Sequence, residues 1–121
     1  MATEIRFSVE EYADELDRAS TNYEVGTRLL SENDVTRIWE LRLAPGERVP
    51  FHCHRTPYLW ACIDGGRAVQ RFPDGHLLEV EFESGDTDFL DRERLITEGI
   101  HDLENTGETT FRFHTVELLD R

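Results

Sequence analysis

Five of the 121 residues are histidines, and two stand two positions apart in His52-Cys53-His54. On a β-strand, residues i and i+2 share a face, with α-carbons about 6.8 Å apart. Two imidazoles placed in this way can converge on one ion, and imidazole suits divalent transition metals. The plain alternative for both is a core or loop histidine with no metal. His76, just past Pro73-Asp74-Gly75, reads as a solvated residue. His114 lies between Phe113 and Thr115 in a strand whose parity the sequence leaves open, so it either lines a pocket or points outwards.

The elements that must position these side chains are short. Ser8-Val9-Glu10-Glu11 has the pattern of a capping box, with Ser8 as N-cap and Glu11 reaching back. Val9, Tyr12, Ala13 and Leu16 follow at helical spacing, which predicts a helix over about 9–19. From Ser20 onwards the pattern changes to period two, with strand-like runs divided by turn signals. The runs are Tyr23–Leu30, Val35–Leu43, Val49–His54, Tyr58–Asp64, Arg67–Phe72, His76–Phe82, Thr87–Leu90 and Thr109–Leu118. Pro45-Gly46, Gly65-Gly66, Pro73-Asp74-Gly75 and Ser84-Gly85 mark turns between them. Many short strands after one helix predict an all-β antiparallel barrel or jelly roll over about 23–118, in one domain spanning 1–121.

Composition narrows the partners. Thirteen basic against 26 acidic residues give a net charge of -13. Such a surface repels phosphate backbones and anionic lipid headgroups, which argues against nucleic acid and membrane as partners. No apolar run approaches the ~20 residues that cross a bilayer. Met1-Ala2-Thr3-Glu4 lacks a basic n-region, so a cytoplasmic location is expected. Cys53 and Cys62 then read as free thiols, pointing to opposite faces of the sheet.

The order of these signals resembles the cupin superfamily. Its first motif reads Gly, five residues, His-x-His, three or four residues, Glu, six residues, Gly; here Gly46, His52, His54 and Gly65 fall in register. Its second reads Gly, five residues, Pro-x-Gly-x-x-His, three residues, Asn; here Gly85, His101 and Asn105 match. The likeness covers about residues 35–118 and implies a double-stranded β-helix, a jelly-roll barrel. Two departures stand out. Tyr58 occupies the glutamate position, and Asp91 stands where the motif has Pro, ahead of a longer loop, Asp91–Gly99. The resemblance implies metal ligands at His52, His54 and His101. It makes the cofactor a divalent ion, Fe(II) first, with Mn, Ni or Zn as alternatives. Glu98, Asp102 and Glu104 near the third histidine read mostly as solvated charges rather than replacement ligands.

If Tyr58 points inwards, Trp60 and Cys62 share its face by alternation. Tyr58 is then the candidate catalytic group, as acid, base or hydrogen-bond donor, or else a filler. Trp60, Cys62, Gln70 and His114 are candidate substrate-binding residues, with Trp60 as apolar wall, Cys62 as a small buried side chain and Gln70 suited to a carboxylate. Three neutral imidazoles give an ion no anionic protein ligand, and a small anionic, oxygen-bearing or thiol substrate would supply the charge. The cupin resemblance implies, for such a site, a dioxygenase-like, metal-dependent oxidoreductase. The alternatives are a metal-independent isomerase or epimerase on a sugar-like substrate, and a non-catalytic small-molecule binder. Cupin barrels pair through exposed strands, so a homodimer is expected, with the helix serving packing.

Overall fold

Three glycines turn the chain where only glycine turns cheaply: Gly46, Gly75 and Gly85 have φ of 85°, 96° and 96°. Between and around such turns, the computed structural model describes residues 3–119. Its elements are β1 (Thr3–Arg6), α1 (Ala13–Ala19), β2 (Arg28–Glu32), β3 (Thr36–Leu43), β4 (Arg48–Cys53), β5 (Tyr58–Asp64), β6 (Gly66–Arg71) and β7 (His76–Phe82). β8 (Thr87–Leu90), α2 (Arg92–Glu98), β9 (Ile100–Asn105) and β10 (Phe111–Leu118) complete the order.

The strands form two antiparallel five-stranded sheets, in the orders β1-β7-β6-β9-β4 and β2-β3-β10-β5-β8. Only the connections β2–β3 and β6–β7 stay within one sheet; every other connection between successive strands crosses to the other, so both sheets are built together. One part of the space between them is a packed core of Leu41, Leu43, Val49, Cys62, Ala68, Leu103, Phe111 and Phe113. Asn105 ties the turns there: its amide donates to the carbonyls of Leu43 and Thr109 (both 2.8 Å) and accepts from the Gly107 N–H (2.9 Å). Buried side-chain amides persist when their hydrogen bonds are met, as here.

Several expectations are corrected. The helix predicted over 9–19 is a 3₁₀ turn, Val9–Tyr12, followed by α1, and the Ser8 side chain makes no capping hydrogen bond. Ser8 instead uses its carbonyl, which accepts from the Glu11 N–H (3.3 Å). The strand expected over Tyr23–Leu30 begins only at Arg28; just before it, Gly26 packs against Glu40 and Trp39 too closely for a side chain. The expected loop Asp91–Gly99 is a helix, capped by Asp91 Oδ1 accepting from the Arg94 N–H (2.9 Å). β1 and β9 were not anticipated.

The N-terminal segment lies against the outer face of the first sheet. Phe7, Tyr12 and Phe51 pack edge to face or stacked, with centroids 5.6–6.3 Å apart. Glu15 of α1 makes two hydrogen bonds to Arg48 and accepts the Phe51 N–H (2.9 Å). α1 is thereby fastened to β4, the strand that carries His52.

Candidate metal centre

β4 and β9 are neighbours, and their register sets His52 directly opposite His101. Val49 faces the core and His52 the cavity, three positions apart, which strict alternation forbids. A register shift between Val49 and His52 resolves this: an irregularity around Pro50 lets both side chains face inwards. His54 follows the end of β4, and its N–H donates to the Gly99 carbonyl (2.8 Å) at the end of α2.

The three imidazoles meet. His54 Nε2 lies 3.2 Å from His52 Nε2 and 3.2 Å from His101 Nε2. All three rings are buried, and their ligand atoms lie within 4.8 Å of one another. His52 Nδ1 donates to the Pro50 carbonyl (2.8 Å) and His101 Nδ1 to the Glu98 carbonyl (2.8 Å). Those bonds fix the tautomer, leaving the Nε2 lone pairs of both rings aimed at the common centre. His54 Nδ1 is buried without a partner, and its ring stacks on Tyr58 at 3.8 Å and 11°.

The electrostatics keep the rings neutral. Burial, then the nearby His101, pulls His52 down to about 3, although the Pro50 carbonyl opposes this. Burial brings His101 down to about 4 against the pull of the Glu98 carbonyl. His54 lies well below its ordinary value through burial and its two neighbours. Neutral imidazoles with converging lone pairs repel one another unless a proton or a cation lies between them. The donor set therefore fits a divalent ion, the group that such sites commonly hold.

The cavity beside this cluster has a volume of about 230 Å³. Tyr58, Trp60 and Gln70 line it together with Phe82, Leu90 and Thr115. The Tyr58 phenol is held above its ordinary range by burial, then by the charge of Glu98. Cys62 does not line the cavity. The step from Tyr58 along β5 carries it past the wall into the packed core, where it is 2% exposed. His114 does not line it either. The buried positions of β10 are Phe111, Phe113, Thr115 and Glu117, so His114 lies on the opposite face. His76 is not freely solvated: its ring stacks on Phe72 at 4.2 Å and pairs with Asp74. Cys53 and Cys62 are free thiols, as expected.

The acidic residues near the third histidine have other partners. Asp102 is fully buried, pointing away from the cluster to Arg48 Nε (2.7 Å) and to the Arg71 N–H and Nη1 (2.7 and 2.9 Å). Glu104 pairs with Arg71 (2.8 Å). The alternation His101-Asp102-Leu103 on a strand carried this information, had β9 been recognised. Asp88 of β8 and Arg94 and Glu98 of α2 also line the cavity; the sequence pointed to the segment 92–98 and to Glu98, but gave Asp88 no place at the site.

No family model matches the chain, and no curated protein matches it. Solved structures do. A cupin domain from Bordetella pertussis Tohama I is 19% identical, with a TM-score of 0.66 over 82% of this chain and 96% of that one. A double-stranded β-helix protein from Klebsiella pneumoniae is 22% identical, with a TM-score of 0.57 over 93% and 82%. The polyketide cyclase RemF from Streptomyces resistomycificus is 21% identical, with a TM-score of 0.53 over 74% and 58%. At these identities the likeness is one of fold, and it agrees with the two interleaved sheets described above.

Proposed function

We propose that this chain, a protein of the cupin fold, holds one divalent ion at His52, His54 and His101 and is an enzyme acting on a small oxygen-bearing molecule. Iron(II) is the first candidate ion and a dioxygenase-type oxidation the first candidate reaction. The observation that carries the reading is the convergence of three neutral imidazoles, two locked by Nδ1–H bonds to carbonyls, on the wall of a cavity of about 230 Å³. Once bound, the ion supplies Lewis acidity and, if iron, a route to oxygen chemistry.

The chain's own residues do the remaining work. The Pro50 and Glu98 carbonyls hold the two rings in the ligating tautomer. Trp60, Phe82 and Phe113, packed edge to face at 4.7–5.5 Å, form a rigid apolar wall that excludes water. Tyr58 keeps its proton and can donate a hydrogen bond to a substrate oxygen.

A second reading is a non-redox proton transfer at the same site, an isomerisation or cyclisation. The phenol stacked on His54 in place of a carboxylate favours it, and one structural neighbour is described as a polyketide cyclase. Elemental analysis of the purified protein, beside a His52→Ala/His54→Ala variant, tests the metal centre. One Fe, Mn, Ni or Zn per chain, lost in the variant, is the expected result. No metal after anaerobic reconstitution with Fe(II) overturns the proposal. Oxygen uptake during turnover separates the oxidative reading from the second one.

A further inference from the structure

Resting on the metal-centre reading, we infer that Glu15 is a positioning residue of that centre, and that docking of residues 15–22 on β4 and binding of the ion reinforce each other. β4 lies at the edge of its sheet, with β9 as its neighbour on one side. Its irregularity is what brings His52 to the cluster. Were the ladder continued regularly from Val49 opposite Leu103, His52 would fall opposite Ile100 and on the face away from the cavity. The observed backbone sets it opposite His101 instead. Such an irregularity takes backbone groups out of the ladder, and these need other partners.

The N-terminal segment supplies them. Glu15 Oε2 accepts the Phe51 N–H (2.9 Å), and Asn22 Nδ2 donates to the Phe51 carbonyl (3.0 Å). The Cys53 N–H donates to the Asn22 carbonyl (2.7 Å). Three backbone hydrogen bonds thus bracket His52, all to residues outside both sheets. The Phe51 ring is fully buried against Phe7 and Tyr12, which keeps it off the cavity face that a regular strand would give it. Glu15 also reaches the second strand of the centre. Arg48 Nη1 donates to it (2.9 Å), while Arg48 Nε donates to Asp102 (2.7 Å), the neighbour of His101 on β9. A carboxylate is the stronger kind of acceptor for an N–H. Without it the regular register, with His52 turned away, gains on the observed one, and His54 and His101 alone hold an ion less tightly. The helix expected to serve packing thereby has a task at the centre. Such coupling is reciprocal: the ion favours docking by the factor by which docking favours the ion.

The test reads cobalt(II) affinity from visible absorption in competition with a chelator, with loading checked by elemental analysis. Glu15→Ala should weaken binding by about tenfold to a hundredfold, the usual range for groups that orient a ligand from behind. Glu15→Gln keeps an oxygen for the Phe51 N–H and should recover most of that loss. Leu43→Ala, a truncation in the packed core away from the cavity, should lower stability and leave affinity close to native. Asn22→Ala removes the donor to the Phe51 carbonyl and takes the place of Glu15→Ala should that variant not fold. In native protein, excess cobalt should slow amide exchange over residues 13–22 by about tenfold, which needs no variant. Native affinity in a folded Glu15→Ala or Asn22→Ala variant overturns the inference, as does exchange that cobalt leaves unchanged. So does Glu15→Gln binding no better than Glu15→Ala, or an equal loss in Leu43→Ala. Each of these leaves the metal centre standing. Failure of native protein to load cobalt overturns the metal centre, and the inference with it.

Discussion

The three imidazoles are not equivalent. His52 and His101 each have a carbonyl on Nδ1, whereas His54 has only the face of Tyr58. The first two are therefore pre-oriented for an ion, and His54 is held by stacking and by its backbone N–H. Replacing His101 by Ala should abolish stoichiometric metal, read by elemental analysis, with the cavity otherwise intact. Tyr58→Phe keeps the stack and removes the hydroxyl. If the phenol takes part in the reaction, turnover should fall by roughly 10²–10⁴ with metal content unchanged, the usual scale for a positioned acid or hydrogen-bond donor. Unchanged turnover would make Tyr58 a filler of the space left by the missing glutamate. At this scale much was legible in the sequence. The His-x-His spacing and the motif register located all three rings, and strand alternation located Tyr58 and Trp60. Alternation failed at Cys62 because it gives the face of a strand but not the distance along it at which the cavity ends. It left His114 undecided because nothing local fixed the parity of β10.

Two elements carry the centre, and each has a device that the sequence hid. In β4 the device is the irregularity at Pro50, which brings Val49 and His52 to one side. In α2 it is the C-terminal turn. There the Glu98 carbonyl holds His101 and the Gly99 carbonyl holds His54. A Cβ on Gly99 would run into the Leu95 carbonyl, so the turn must shift to admit one. Gly99→Ala is expected to destabilise the protein by about 1–3 kcal/mol and lower its metal occupancy, measured by thermal unfolding and elemental analysis. On the outer face of β9, Asp102 is buried between Arg48 and Arg71. Removing one partner of such a buried pair costs about 3–5 kcal/mol, so Asp102→Ala should show that loss in urea unfolding. α2 was readable in principle from Asp91 as a helix cap, but seven residues between strands give too few turns for a periodic signal. β9 was missed because its buried residues include His101, Asp102 and Asn105, polar types that break an apolar alternation.

For the molecule as a whole, burying three neutral imidazoles makes stability depend on pH. The unfolded chain takes up protons below about pH 6.5, while folded His52 and His101 resist until about pH 3 and 4, and His54 resists as well. Protons then favour unfolding, so metal-free protein should lose stability as pH falls from 7 to 5. Each ring contributes on the order of 1 kcal/mol per pH unit. Urea midpoints across that range test this, and His52→Ala/His54→Ala should flatten the slope. Association is the other property at this scale. β2 is an edge strand with every residue exposed, Leu29 and Leu30 at 44% and 41%. An edge of this kind invites pairing, and the homodimer expected from the sequence predicts twice the chain mass in sedimentation. Among the described residues no helix is long and apolar enough to cross a membrane. The barrel was foreseen from turn signals and short strands, since these are local; the pairing order of ten strands is not local and came only with the structure. One helix in that barrel serves two masters. Arg94 of α2 lines the cavity, and the carbonyls about one turn later steady two of the three clustered imidazoles. If the three imidazoles hold an ion, substitutions in residues 92–98 that reshape the cavity wall also disturb the carbonyls behind His54 and His101, so changes in what the cavity admits should arise together with changes in metal affinity.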